Sequence, residues 1–525
     1  MMRSLRLYAG IVAVLLTLPA GAQEIKIGAR ATPTLDPHFL FLDSNIAYHY
    51  HLFGRLVDRA EDGRYVPGLA TSWRLVDPQR WRFELRHDVM FHDGKPFTAD
   101  DVVFSFARVP NVPNNPAPYT SYLTSVGAVE KVDDHTVDIV TTVPNPLLPV
   151  QVNGITIVAK HAVEGRSTAD FATGAAAIGT GPYRFVSHRQ GERLVLERFD
   201  GYRGETPLWQ RVEFRILANN AARTAALLAG DVELIDNVSA TDAERLSTTT
   251  GFAVHRAPMA RVIYLGATIS LGRSPLTTDA AGQPLEQNPL ADVRVRRAIS
   301  LAINRPAIVE RIMGGYAAPA SQIVTPGMVG FVASRQPDPF APEESAKLLR
   351  EAGWGQGFRT SLSCPGDRYP GDAATCQAMG QMLARAGILA SVEVMPANVY
   401  FSRLRTPGNE LPLFLLGWGD ITGDATATLV PVVHSYDREK RMGVNNRSGF
   451  ADAEVDGLIE AAVVELDNAK RVALLEQAMR LATDRYAVIP LYQPMSIFAS
   501  RAGLVYRAGL GDEKTLAMRA SPAPR

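Results

Sequence analysis

Two adjacent His-Asp pairs, His87-Asp88 and His92-Asp93, are the residue types in this chain that come closest to a metal site. Imidazole and carboxylate groups are common ligands of transition metals. The pairs flank a predicted hairpin arm, and the two-residue period of a strand places His87 and His92 on opposite faces. We therefore predict two surface histidines of a hairpin and no metal site.

Common catalytic motifs are missing from the sequence as well. It has no H-E-x-x-H helix, no G-x-S-x-G elbow and no S-x-x-K set. His49 and His51 share a predicted helix, but residues two positions apart do not face each other. The Gly-rich string at 179–183 lacks the Lys-Ser/Thr ending of a phosphate loop and leads into a strand. We predict no catalytic residue and no cofactor; an exported peptidase is the alternative.

The N-terminus has the pattern of a secretory signal. Arg3 and Arg6 precede a short apolar core at 11–18, and the string A-G-A at 20–22 is a small-residue cleavage site. We predict that residues 1–22 are a signal peptide and that the mature chain is soluble in the periplasm. Since no cysteine lies near the cleavage site, we do not expect a lipoprotein; a retained membrane anchor is the alternative.

The charge balance argues against a nucleic-acid partner. The chain has 54 basic and 54 acidic residues, and two of the basic ones lie in the predicted signal peptide, so the mature chain carries about −2. Nucleic-acid binding usually requires a clustered basic face.

The only two cysteines, Cys364 and Cys376, are twelve positions apart. In an exported protein this spacing favours a structural disulfide. Closing a loop of this size would contribute about 3 kcal/mol to the free energy of unfolding.

The segment 66–106 shows most clearly how elements are arranged. Trp81, Phe83 and Leu85 alternate with charged residues, which is the pattern of a half-buried antiparallel strand. A turn with Gly94 and Pro96 follows. Thr98 can then cap a helix whose first turn is acidic. Farther along, predicted strands alternate with helices, including a helix at 46–57 and a late strand at 488–492. This alternation predicts α/β lobes.

Six separated strings resemble one family, the family 5 extracellular solute-binding proteins, which are the peptide and nickel binders of ABC importers. They are the segment 66–106, GTGPY at 179–183, VRRAISLAINRPAI ending at 308, FAPEESAKLLREAGW at 340–354, GWGDITGDA at 417–425 and VIPLYQ at 488–493. The resemblance covers essentially the whole mature chain. It implies a periplasmic-binding-protein-like α/β fold of cluster C type, with two lobes, a hinge and an extra inserted α+β domain.

The resemblance also implies how the chain divides into domains. The inserted domain is expected at 61–179 and the second lobe at 273–483. The first lobe would be formed by the segments 23–60, 180–272 and 484–525.

The function that the resemblance implies is transport. The two lobes would close on a short peptide by a hinge motion, and the closed form would dock on the permease subunits of an ABC importer. We expect a monomer that is not an enzyme. A nickel chelate, haem, a glutathione-like solute or an opine-like solute on the same scaffold is the alternative ligand.

One arginine matches a ligand-binding position of the family. The loop at 364–370 resembles the loop that supplies an arginine to the peptide carboxylate in dipeptide binders, and Arg368 falls on that position. A guanidinium fork binds a carboxylate through two hydrogen bonds and keeps its proton. The alternative is an exposed arginine that is paired with Asp367.

A second set of ligand residues is implied by the string GWGDITGDA. It resembles the segment in which an aspartate binds the N-terminal ammonium group of the peptide; Asp424 is the match, and Asp420 is the second candidate. Ile421 and Thr422 replace a more polar string, which leaves the ligand's identity open. Trp418 either packs on a ligand side chain or fills the core of the lobe.

Overall fold

A computed structural model describes residues 24–524, except 275, 420–421 and 512–513. The predicted signal peptide lies outside these residues, so its cleavage stays a prediction. None of the helices in the described part of the chain is long and apolar enough to cross a membrane.

A mixed sheet of 13 strands runs through most of the molecule. Its main path has the order Tyr183–Arg189, Arg193–Arg198, Arg211–Ile216, Glu24–Ala29, Leu234–Ile235, Ile489–Arg501, Arg261–Ala267, Leu413–Gly419, Phe358–Pro365 and Thr278–Asp279. Three further strands branch from this path: Phe252–Pro258 and Ala317–Pro319 pair with Ile489–Arg501, and Ile388–Met395 pairs with Phe358–Pro365.

Three parallel strands of this sheet share a carboxyl edge. Glu24–Ala29 lies between Arg211–Ile216 and Leu234–Ile235 and is parallel to both. Because parallel strands end at the same edge, the residues that follow them, such as Arg30 and Asp236, come close together. This edge is where α/β sheets usually bind their ligands.

The strand Ile489–Arg501 joins the two halves of the sheet. Its first residues pair with Arg261–Ala267 and its later ones with Phe252–Pro258. The strand predicted at 488–492 is therefore too short. Pro494, which has no N–H to donate, lies where the strand changes partner, so it does not end the strand.

The other half of the sheet contains a parallel strand-helix-strand unit. Phe358–Pro365 is parallel to Ile388–Met395, and the helix Asp372–Arg385 connects them. Phe358 and Leu362 are fully buried in the core of this half.

A separate antiparallel sheet follows the order Ala70–Asp77, Arg80–Leu85, Thr136–Thr141 and Val126–Asp133. Phe83 and Leu85 are buried, which confirms the predicted alternation. The predicted cap is confirmed too: Thr98 and Asp101 form a capping box at the start of the helix Ala99–Arg108. This sheet and helix have their own hydrophobic core.

The prediction that His87 and His92 are surface residues on opposite faces of a hairpin is partly wrong. The strand ends at Leu85, so the two-residue period does not extend to His87 and His92. His92 is not a surface residue: its Nδ1 accepts from Gly179 N at 3.2 Å, and its Nε2 lies 3.1 Å from Gly181 O. The Gly-rich string thus packs against this histidine.

The described residues also form further helices and short strand pairs. The other helices are Asp43–Leu52, Leu148–Gln151, Lys160–Val163, Thr168–Ala172, Asn220–Ala229, Ala240–Thr248, Val293–Ala302, Arg305–Arg311, Pro342–Glu351, Ala397–Arg403, Thr426–Thr428, Ala453–Val464 and Asn468–Asp484. Short strand pairs are Gly54–Arg55 with Thr156–Ile157, Val57–Arg59 with Tyr65–Pro67, and Leu504–Tyr506 with Ala520–Pro522. The helix predicted at 46–57 ends at Leu52, because Gly54 already pairs as a strand.

Candidate functional site

A cavity of about 470 Å³ lies between the two halves of the large sheet. One wall is the carboxyl edge of the parallel strands, where Arg30 and Asp236 lie. The facing wall contains Arg368 and its neighbours, and the strand Ile489–Arg501 contributes residues between the walls. Its volume is in the range of small-molecule sites.

Asp236 is the acidic residue of the first wall. It directly follows the strand Leu234–Ile235 and is 8% exposed. Thr515 Oγ1 donates to its Oδ2 at 3.2 Å, whereas its Oδ1 receives no hydrogen bond among the described residues. Burial raises the pKa of Asp236, and the nearby Arg30 and Arg223 oppose this rise.

Arg223 holds the main chain beneath this wall. Its guanidinium group donates to the carbonyl oxygens of Leu217, Ala218 and Asp236 and to Asn220 Oδ1. The residue is 1% exposed, so its four partners compensate for the loss of water. Arg223 therefore fixes the position of the carboxyl edge.

The loop of the second wall is fixed at both ends. Cys364, at the end of the strand, and Cys376, in the following helix, form a disulfide. Asp372 Oδ2 accepts hydrogen bonds from the N–H groups of Arg368 and Tyr369, each at 3.0 Å. The disulfide and the hydrogen bonds to Asp372 hold the main chain of the loop, and neither uses the side chain of Arg368.

The guanidinium group of Arg368 is available for a ligand. Its side chain is exposed and lies 5.1 Å from the ring centre of Tyr369. Within the described residues no hydrogen bond or ion pair occupies it. Among the described residues it makes no ion pair with Asp367, whose Oδ1 accepts from Ala397 N at 2.7 Å. The alternative of an Arg368–Asp367 pair is thus not what the structure has.

Asp424 lies outside the lining of this cavity and already has partners. Its Oδ2 accepts from Arg471 Nη1 at 2.7 Å, and its Oδ1 accepts from the N–H and the hydroxyl of Thr426. The side chains of Asp424 and Arg471 are 3% and 6% exposed. The described contacts give Asp424 a structural role, and its contact with a ligand stays a prediction.

Trp418 is half-buried at the end of the strand Leu413–Gly419. Its Nε1 donates to Ala427 O at 3.2 Å, and its ring packs against a hydrophobic core. These contacts match the core interpretation; a ligand contact of Trp418 stays a prediction. Asp420, the second candidate for the ammonium group, lies outside the described residues.

Two other kinds of candidate site have fewer groups that could bind a ligand. A cavity of about 730 Å³ beside the helix Ala99–Arg108 contains Arg108, whose Nη2 is already bound to Asp36 Oδ2 at 2.7 Å. In the part of the chain that the structure covers, no group of three His, Cys, Asp or Glu residues could hold a metal ion.

Sequence reasoning missed Asp236 and Arg30. A signal for both was present, because each directly follows a predicted strand, and ligand sites of α/β sheets lie at the carboxyl ends of strands. The separate strand predictions did not reveal that these two strands are neighbours in the sheet.

Known proteins match nearly the whole chain. Residues 64–440 match the sequence profile of bacterial extracellular solute-binding proteins, family 5 Middle. The dipeptide-binding protein of Escherichia coli (strain K12) is 27% identical over 463 residues, which cover 83% of this chain and 82% of that protein. The glutathione-binding protein GsiB of Shigella dysenteriae serotype 1 (strain Sd197) is 26% identical over 495 residues, 92% and 91% of the two chains. The structure of HbpA2 from Haemophilus parasuis superimposes with a TM-score of 0.82 at 23% identity, covering 96% of this chain and 100% of that one.

Proposed function

The chain belongs to the bacterial extracellular solute-binding proteins of family 5, and we propose that it captures short peptides for an ABC importer. The relative from Escherichia coli is named a dipeptide-binding protein, and it matches over most of both chains. The lining of the cavity includes basic and acidic side chains, among them Arg368 and Asp236. This arrangement suits a ligand with a carboxylate at one end and an ammonium group at the other.

The observation that carries the proposal is the state of Arg368. A guanidinium group that has no hydrogen-bond partner among the described residues, on a loop held by a disulfide and by Asp372, is preorganised for a carboxylate. Binding there adds two charge-assisted hydrogen bonds without the loss of an internal one. We propose that Arg368 binds the C-terminal carboxylate of the peptide.

Closure of the lobes would follow from this binding. A ligand that contacts both walls binds the closed form better than the open form, and it shifts the equilibrium by that difference in affinity. The hinge would be the strands that join the two halves of the sheet. We propose that the lobes are 23–60 with 180–272 and 484–525, and 273–483, with 61–179 as the inserted domain.

The cellular setting belongs to the same proposal. Removal of residues 1–22 would release the protein into the periplasm without a lipid anchor, as a monomer. There it would deliver its ligand to the permease subunits of the importer and would catalyse no reaction. Its relatives are binding proteins, which supports the absence of enzymatic activity.

The experiment is a thermal-shift and calorimetry panel on the mature protein. Di- and tripeptides with free ends should raise the melting temperature, because they bind the folded state alone. Peptides with amidated C-termini should bind weakly, since Arg368 loses its carboxylate partner. Nickel, haem and sugars should cause no shift. Hydrolysis of the peptides by the pure protein would overturn the proposal.

Glutathione is a second candidate ligand. The glutathione-binding relative matches 92% of this chain, and both Arg30 and Arg368 line the cavity. Glutathione carries two carboxylates and one ammonium group, so Arg368 would bind one of its carboxylates as it would bind that of a dipeptide. The same panel with glutathione separates the two ligands by their relative affinities.

A further inference from the structure

A cavity of about 330 Å³, which we call the arginine cavity, lies away from the one that contains Arg368. The two cavities share no lining residue, and no described residue of 273–483 lines the arginine cavity. Its walls are residues 67–90 of the expected inserted domain and the segments 50–59, 180–205 and 516–519. Two of its lining residues are acidic, Asp58 and Glu205, and five are arginines: Arg55, Arg59, Arg86, Arg203 and Arg519.

Arg55 is buried in this lining without a hydrogen-bond partner. The residue is 3% exposed, and its guanidinium carbon lies 3.7 Å from the ring centre of Tyr50. Among the described residues the guanidinium group makes no hydrogen bond and no ion pair. A buried charged donor without an acceptor is unfavourable. An anion that supplies acceptors would therefore lower the free energy.

Arg86 and Asp58 meet at the main chain of Gly68. Arg86 Nε donates to Gly68 O at 2.7 Å, and no described residue accepts from the two terminal nitrogens of Arg86. A Cβ atom at Gly68 would lie 3.0 Å from Asp58 Oδ2, so this carboxylate lies against the same residue. Within the described part of the chain the carboxylate has neither a hydrogen bond nor an ion pair. Unused donors and an unused acceptor thus lie close together.

The hydroxyl of Tyr202 lies near the same two charges. Burial and the neighbouring Asp58 raise the pKa of Tyr202 to about 12, and Arg86 opposes this rise. The hydroxyl makes no hydrogen bond with a described residue. None of the unpaired polar atoms of Arg55, Asp58, Arg86 and Tyr202 is among the fully enclosed ones of the described chain. These groups are therefore open to the cavity that they line.

The combination selects an anion that carries a proton. Guanidinium groups bind oxyanions through charge-assisted hydrogen bonds. Burial raises the pKa of Asp58 to about 6, and Arg55 and Arg86 oppose this rise, so Asp58 is mainly ionised at neutral pH. An ionised carboxylate repels an anion without a proton, such as sulfate or a carboxylate. Hydrogen phosphate keeps one P–OH group at neutral pH, and this group can donate to Asp58.

We propose that the arginine cavity binds hydrogen phosphate, whose oxygens accept from Arg55 and Arg86 and whose hydroxyl donates to Asp58. Arg86 belongs to the expected inserted domain, whereas Arg55 and Asp58 belong to the expected first lobe. The bound ion therefore fastens the inserted domain to that lobe. This site goes beyond the proposed function and does not depend on peptide binding.

The test is calorimetry and thermal shift on the mature protein after dialysis into a phosphate-free buffer. The probes are sodium phosphate, sodium sulfate and methyl phosphate at about pH 7.5, where a phosphate monoester has lost most of its remaining proton. Constant ionic strength keeps the screening of charges equal. The variants are Arg86→Gln and Asp58→Asn. The controls are Arg74→Gln, at an exposed arginine outside the cavity, and Arg368→Ala, which removes the guanidinium group of the other cavity.

The wild type should bind phosphate at least tenfold more tightly than sulfate or methyl phosphate, and phosphate should raise its melting temperature. Arg86→Gln should weaken phosphate binding at least tenfold. Asp58→Asn should reduce the preference for phosphate over sulfate to less than threefold, because the amide does not repel a proton-free anion. Arg74→Gln and Arg368→Ala should bind phosphate like the wild type.

Two results overturn the proposal on the wild type alone, whether or not the variants fold. One is the absence of phosphate binding, and the other is equal affinity for phosphate and sulfate. A loss of phosphate binding in Arg368→Ala but not in Arg86→Gln also overturns it, since the ion would then lie in the cavity that contains Arg368.

Discussion

Asp424 and Arg471 form a buried ion pair, with 2.7 Å between Oδ2 and Nη1. The two residues are 47 positions apart in the sequence and connect the segment 417–425 to the helix Asn468–Asp484. Removal of one partner from a buried pair leaves an uncompensated charge, which costs more than the pair itself contributes.

Asp424→Ala should therefore destabilise the protein by about 3–5 kcal/mol, measured by urea unfolding of the mature chain. Glu439→Ala, an exposed acidic residue 15 positions later, is the control and should change the unfolding free energy by less than ~0.5 kcal/mol. Equal stability of both variants would show that the ion pair does not support the fold.

Arg368→Ala should have the opposite profile. The side chain is exposed and makes no internal hydrogen bond among the described residues, so the unfolding free energy should stay within about 0.5 kcal/mol of the wild type. Peptide binding should weaken by about 2–5 kcal/mol in calorimetry, because the ligand carboxylate loses its partner.

The matched control for this variant is Arg385→Ala. Arg385 is an exposed arginine at the far end of the helix that follows the Arg368 loop, outside the cavity lining. It should bind peptides like the wild type. If both variants keep full affinity, Arg368 is not the carboxylate anchor.

Replacement of Cys364 and Cys376 by alanine should affect stability and binding together. The twelve-residue span should contribute about 3 kcal/mol through the unfolded chain. The loop that carries Arg368 would then be held by Asp372 without the disulfide. Peptide affinity should therefore fall, but by less than in Arg368→Ala. Urea unfolding and calorimetry of the double variant check both effects; a variant with wild-type stability contradicts the structural role of the disulfide.

Acid should destabilise the protein below pH 6.5. Burial lowers the pKa of His38, His49, His51 and His92 to about 4. A lowered histidine pKa means that the unfolded chain binds the proton first. The stabilisation is complete above pH 6.5 and is lost as the pH falls to 4, with a slope of up to ~1.4 kcal/mol per pH unit for each histidine. Asp58, whose pKa burial raises to about 6, acts in the opposite sense, since its contribution is lost as the pH rises through 6.

His51 provides the site-specific check of this pH dependence. Its Nδ1 lies 2.7 Å from Ala47 O and its Nε2 accepts from Ala517 N at 3.0 Å, so protonation of Nε2 breaks the second bond. His51→Gln should reduce the pH slope of the unfolding free energy between pH 6.5 and 4.5. A wild-type slope in this variant would show that His51 does not contribute.

Local features of the fold could be predicted from the sequence. The alternation around Phe83 and the cap at Thr98 depend on neighbouring residues, and the structure confirms both. The family and the α/β fold class were also predicted, from strings spread along the chain, and both are confirmed.

Features that depend on distant residues could not be predicted. The partner of Asp424 lies in another helix, and no short-range pattern identifies it. The length of Ile489–Arg501 depends on two different partner strands, which replace one another near Pro494. Asp236 and Arg30 become neighbours only when their strands pair.

The most direct test of the central claim is mass spectrometry of the ligand that the protein retains. The mature protein is purified gently without added ligand and then denatured, and the released molecules are identified. The account predicts short peptides, or glutathione, with a free ammonium group and a free carboxylate. Release of a nickel chelate, haem or a sugar instead would contradict it.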